Sequence, residues 1–360
     1  MIKISAPGRI CLFGEHQDYL KLPVITAAIN LRVSISGSES THPSMHLKLP
    51  DINSEERLPL QDQEYVYTMD RDYFRSVANL LKREGIKIDK GCECIVKGTI
   101  PINSGTSSSS ALNVAWCKFL LELNKEINPD IEKDILQIAR LAYLAEVEEF
   151  GEPGGMMDHY ATAIGGVLYQ EFCDKVELSQ LKSPMGTFVL GDSMQPKETT
   201  KILHRVKIGV LEALEIIKNE DPSFNLEESH LSSVNSYKHL LSSSQIEVLE
   251  GALINREITK ESKKYFQQKS FDHRQFGHLI SEHQEILSKK LKISTDKIDR
   301  MLKKSIEAGA FGGKINGSGG GGCMFVYAPE DPEKVAKAIE TAGGKPYIIN
   351  VDQGLQVSKL

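Results

Sequence analysis

Seven of the chain's 28 glycines fall between Gly312 and Gly322, in GGKINGSGGGG, and strand-like residues bracket them on both sides. A Gly/Ser run standing alone reads as a flexible linker. Held between two strands it reads instead as a loop that another backbone or a ligand approaches closely, because a missing Cβ is what permits the approach. The fold must then supply a second wall. The best candidate is PINSGTSSSSALNVAW (101–116), a small-residue loop that follows a strand and opens into an amphipathic helix. Gly105 and the serines let backbone N–H groups close on an anion, and the helix starting near Ser108 aims its positive end at the same point. No GK[ST] follows, so this is not a Walker loop. A serine-rich surface turn with an N-cap has the same composition; the strand–loop–helix context favours phosphate. Two such loops and nearby acids suggest a nucleoside triphosphate.

Two segments carry the acids. GRICLFGEHQDY (8–19) packs Arg9, Glu15, His16 and Asp18 after a strand, a set suited to polyol hydroxyls, although a solvated charged turn would show the same spacing. AEVEEFGEPGGMMDHYA (145–161) places acids on one helix, then Pro-Gly-Gly, then Asp158 in the first turn of a second helix. Asp158 could be an acid stabilised by the helix dipole, and Glu146 a solvated helix face; their alternative use is to serve a magnesium ion, which takes one or two protein carboxylates and substrate phosphate.

Length and charge narrow the rest. At 360 residues two domains are expected, and a net charge of −6 lacks the basic excess that nucleic-acid binding needs. No apolar run reaches the ~18–20 residues of a membrane helix, and MIKISAPGRI lacks a signal-peptide core, so a cytoplasmic protein with no membrane partner is expected. The six cysteines form no CxxC pair and read as reduced and buried. His278 and His283 lie five apart, where a helical zinc pair needs four, so they read as structural. The first third is mostly strands (2–5, 9–14, 24–37, 92–100), with helices predicted over 70–83, 107–124 and 131–149. Strands return at 165–172 and 186–193, 197–309 reads as helical, and the end is mixed. The polar stretch 179–184, ending in proline, marks the domain break, giving domains 1–183 and 184–360.

Taken together, these segments resemble the GHMP kinases, and within them galactokinase. The signature GRxNLIGEHxDY appears as GRICLFGEHQDY, PxxxGLSSSAS as PINSGTSSSSA, AExxFxGxPCGIMDQ as AEVEEFGEPGGMMDH, and GxxxTGGGFGGC as GGKINGSGGGGC. The resemblance spans residues 5 to about 327. It implies an α+β protein with an N-terminal domain like domain 2 of ribosomal protein S5, a ferredoxin-like C-terminal domain, and an active site in the cleft between them. It implies ATP- and Mg2+-dependent transfer of the γ-phosphoryl group to the anomeric hydroxyl of a hexose, galactose first, with a monomer expected and a dimer the alternative. By position, Asp158 faces the acceptor hydroxyl, taking its proton or orienting it, with Arg9 beside it. Glu15, His16, Asp18 and Gly155 hold the sugar. Ser104, Gly105, Thr106, Ser107, Ser108, Ser109, Gly319 and Gly320 contact the ATP phosphates, and Ser108 with Glu146 ligates magnesium. Galactokinases usually follow the catalytic segment with HxLxxSxYNxRRxxC; here GDSMQPKETTKILHRVKIG has neither the tyrosine nor the Arg-Arg pair, and Lys21 and Leu22 replace glycines. A kinase for galacturonate, N-acetylgalactosamine or another pyranose, or an inactive sugar- and ATP-binding sensor, therefore stays open. Mevalonate kinase ranks lower, since its counterpart of GEHQDY lacks the aspartate.

Overall fold

The computed structural model describes residues 1–129, 133–172, 176–182, 184–196 and 199–359. It opens with β1 (Ile2–Phe13) antiparallel to β2 (Val24–Ser40). The two strands expected at 2–5 and 9–14 are one, with the register slipping between Pro7 and Gly8. Such a bulge accommodates proline inside a strand. A Cβ on Gly8 would stand 2.7 Å from Thr106 O, so the strand passes close under the serine loop.

A hairpin of β3 (Ser44–Leu49) and β4 (Ser54–Pro59) follows, then α1 (Tyr73–Arg83), β5 (Gly91–Gly98), α2 (Ser108–Leu123), α3 (Ile135–Tyr143), α4 (Met157–Ile164), β6 (Val167–Phe172) and β7 (Val176–Gln180). These strands form one sheet in the order β1-β2-β5-β3-β4, with β6 branching from β2 and carrying β7. The helices cover it through a core in which Trp116 is buried between Phe74 and Phe119. The helix expected over 131–149 starts, among the described residues, at an Asp134–Gln137 capping box and ends in a π-helical turn, Leu144–Glu148; Ile131 lies outside them.

The second sheet comprises β8 (Phe188–Asp192), then, after α5 (Thr199–Glu220), α6 (Ser243–Phe266), α7 (His273–Lys289) and α8 (Asp296–Glu307), β9 (Gly312–Ile315), β10 (Cys323–Tyr327), α9 (Pro332–Thr341) and β11 (Lys345–Ile349). Its order is β11-β8-β10-β9, all antiparallel. Numbered within the sheet this is 4-1-3-2, the ferredoxin-like arrangement. The last strand, β12 (Gln356–Lys359), leaves this half and pairs with β1. The expected break falls at Ser183, outside the described residues, and β7 occupies the first part of the polar stretch that suggested it.

An apolar cluster joins the halves: Ile10, Leu12 and Phe13 of β1 pack with Phe188, Phe276, Phe325 and Tyr327. Cys11, Cys92, Cys94, Cys117 and Cys323 are buried, as expected; Cys173 lies outside the described residues. Among the described residues no helix is long and apolar enough to cross a membrane.

Candidate active site

The cleft between the halves holds a cavity of ≈ 1020 Å³. Its centre is fixed by Arg9, which leaves β1 almost wholly buried. Its Nε donates to Asp158 Oδ1 at 2.7 Å, Nη2 lies 2.6 Å from the same oxygen, and Nη1 donates to Gly105 O at 2.6 Å. One guanidinium thus ties the acid at the head of α4 to the serine loop. Burial alone would pull Arg9 down, yet the charges of Asp158 and Glu15 raise it above its ordinary value, so it stays a cation.

The serine loop turns into α2 at Ser107, which sits in the left-handed region at φ 62°. Its buried Oγ has no hydrogen-bond partner among the described residues. The first N–H groups of a helix lack partners within it, so an orphaned hydroxyl at that end fits an anionic ligand. Ser104, Gly105, Ser108 and Ser109 line the cavity with it. Thr106 does not: its hydroxyl pairs with Ser104 Oγ at 2.7 Å and its carbonyl accepts from Arg9 N.

The glycine loop meets the serine loop directly. Asn316 Nδ2 donates to Gly105 O and Cys323 N to Ser104 O, both at 2.7 Å, while a Cβ on Gly317 would stand 2.8 Å from Gly105 O. Gly317 and Ser318 line the cavity. Gly319 and Gly320, expected on the phosphates, lie behind them: Gly320 N donates to Ile293 O, and a Cβ on Gly319 would stand 2.6 Å from Ile293. Their missing side chains serve the packing of the loop on the segment before α8, a neighbour that sequence order does not reveal.

At the other end Asp18 accepts from Met157 N at 3.3 Å and faces Asp158. Burial and the Asp158 charge push its carboxyl up to about 6. Gly155 makes room for it, since a Cβ there would lie 2.0 Å from Asp18 Oδ2. Lys21 adopts the left-handed backbone, φ 62°, that the glycine of galactokinases would favour. Two expected sugar ligands, Glu15 and His16, line the cavity and are also engaged by other groups of the protein. Glu15 is buried, ion-paired to Lys314 and accepting from Gly317 N; His16 bonds Tyr19 Oη at 2.6 Å and Ser318 O at 3.0 Å. Both brace the glycine loop against the GEHQDY segment.

Glu146 lies on the π-helical turn and reaches the cavity wall, with Oε2 held by His159 Nε2 at 2.7 Å. Among the described residues no group of three or more His, Cys, Asp or Glu could enclose a metal. A hard cation shared with phosphate needs only one or two protein oxygens, which Ser108 and Glu146 match. The remaining wall, missed at the sequence level, is an apolar slot of Val33, Leu49, Val96, Ile100 and Leu112. These come from four elements and an intervening loop, and each looks like ordinary core in its own strand or helix.

An anion loop, an Arg-held acid and a cleft between an S5-like and a ferredoxin-like half define a phosphotransferase. Residues 72–166 match the GHMP kinases N terminal domain, 262–345 the GHMP kinases C terminal domain, and 2–39 the galactokinase galactose-binding signature. The chain belongs to the GHMP kinases. It is 29% identical over 366 residues to a mevalonate kinase of Thermococcus sibiricus, covering 99% of this chain and 98% of that protein. It is 27% identical over 349 residues to a galactokinase of Pyrococcus furiosus, covering 92% and 90%. The structure of Lactococcus lactis galactokinase complexed with galactose superposes with a TM-score of 0.85 at 21% identity, covering 99% and 95%. Whole-chain sequence identity thus runs slightly higher to that mevalonate kinase than to that galactokinase, the reverse of the expected ranking, whereas the fold superposes less well on Methanococcus jannaschii mevalonate kinase, at a TM-score of 0.75, and the galactose-binding signature matches at the N-terminus.

Proposed function

We propose that the protein is an ATP-dependent sugar 1-kinase that transfers the γ-phosphoryl group to the anomeric hydroxyl of a hexose, galactose being the first candidate. The observation that carries this reading is the pair of carboxylates at the acceptor end, Asp18 beside Asp158, with Gly155 stripped of a side chain to admit the first. Two acceptors facing one space suit a neutral polyol whose hydroxyls donate to both.

Asp158, oriented by Arg9, receives or directs the proton of the attacking hydroxyl. Ser107 Oγ and the first turn of α2 hold phosphate, and the apolar slot takes the base. Ser108 and Glu146 would hold a magnesium ion, which when bound offsets the charge on the phosphates. Phosphoryl transfer is mainly positioning and charge neutralisation, and these groups supply both.

Mevalonate is the second reading, favoured by the whole-chain similarity to mevalonate kinases. Its primary hydroxyl would face Asp158, and its carboxylate would need a cationic partner, which the Asp18 carboxyl beside Asp158 does not offer. A panel of galactose, galacturonate, N-acetylgalactosamine and mevalonate with ATP and Mg2+ separates the two, the phosphate position being read by 31P NMR. We expect an anomeric phosphate from a hexose; turnover of mevalonate alone would replace the proposal.

Gly155→Ala tests the acceptor end by itself. The added methyl meets the tip of a side chain, not backbone, so the fold should survive while Asp18 is displaced. We expect the sugar KM to rise at least about tenfold, the loss of one charged hydrogen bond, with the ATP KM unchanged. Equal changes in both would detach Gly155 from the sugar.

A further inference from the structure

His159 follows Asp158 on α4 and is 1% exposed. Its Nε2 lies 2.7 Å from Glu146 Oε2, and the ring packs edge-on against Tyr143. Its Nδ1 has no partner among the described residues. Packing alone would favour an apolar side chain here, because a buried polar atom without a partner costs free energy. A carboxylate oxygen accepts, so in this contact the donor is the histidine N–H at Nε2.

Glu146 itself needs such a restraint. The π-helical turn, closed by Glu149 N donating to Leu144 O at 2.9 Å, swings this residue out of the regular helical register and onto the cavity wall. Asn113 Nδ2, from α2, approaches the same Oε2 at 3.5 Å. Both neighbours engage one oxygen and leave Oε1 without a hydrogen bond among the described residues.

We propose that His159 is a positioning residue for the cation site: its Nε2–H fixes the rotation of the Glu146 carboxylate so that Oε1 is presented to a divalent metal shared with Ser108. This rests on the reading of Glu146 as a ligand. Partners behind metal ligands commonly account for ten- to a hundredfold in affinity.

The test uses Mn2+ as the probe, titrated into the full-length protein with ADP and followed by the EPR signal of free Mn2+, with circular dichroism to normalise to folded protein. His159→Gln keeps an N–H near the place of Nε2, whereas His159→Asn puts it near Nδ1, where no partner waits. Both variants are polar and fill much of the same space. We expect Mn2+ affinity within about twofold of wild type for Gln and a loss of at least about tenfold for Asn. Glu146→Ala should lose at least as much as Asn. If Gln and Asn behave alike, His159 does not position the carboxylate. If Glu146→Ala leaves Mn2+ affinity unchanged, the ligand reading fails and takes the proposal with it; that outcome is distinct from the first.

Discussion

Asp158→Asn is expected to lower turnover about a thousandfold, the usual scale for a group that handles the transferred proton, while ATP affinity stays near wild type. Asparagine keeps an oxygen where Arg9 Nε and Nη2 now donate, so the buried guanidinium retains an acceptor and the cleft its shape. Alanine is the less informative change. It would leave Arg9, 3% exposed, facing Gly105 O alone, and breaking a buried ion pair from one side costs about 3–5 kcal/mol. The comparison separates chemistry from folding: turnover of Asp158→Asn within tenfold of wild type would remove this carboxylate from the reaction.

Arg9 and Asp158 lie 149 positions apart, and their meeting was legible only through the motifs around them. Physical reading of the residues reached the serine loop and the helix it opens into, because a strand, small residues and an amphipathic helix must produce an exposed helix N-terminus wherever they occur. It reached the second half's sequence of elements for the same reason, since period and punctuation are local. It did not reach β3 and β4, whose polar faces (His46 and Lys48, Glu55 and Arg57) dilute the apolar signal. It missed β12, four residues whose strand character comes from pairing with β1. The same limit explains Glu15: its carboxylate is claimed by Lys314, 299 positions away, and no local pattern announces that partner. The glycine loop was correctly placed against the serine loop, but which glycines touch the cavity depends on Ile293 behind them.

Asp18→Asn should move stability and function in opposite directions. The folded carboxyl is pushed up to about 6, chiefly by burial and then by Asp158, against an ordinary value of 3.8. Below about pH 4 the group is protonated in both folded and unfolded chains. Between about 4 and 6 only the folded chain keeps the proton, so stability falls as pH rises; above about 6 the penalty is complete and constant. Two units correspond to about 3 kcal/mol. Asparagine removes this penalty and can still accept from Met157 N. The variant should therefore melt several degrees higher than wild type at pH 7.5, with about half that gain left at pH 5. Its sugar affinity should fall by roughly a hundredfold, because the displaced group is the charged acceptor a hydroxyl would use. A stability gain independent of pH would show that Asp18 is not held out of its ordinary range. A gain with undiminished sugar affinity would move the acceptor elsewhere in the cleft. If both changes occur together, the strain at Asp18 is one that substrate binding relieves, since hydroxyls donated to the carboxylate favour its charged form.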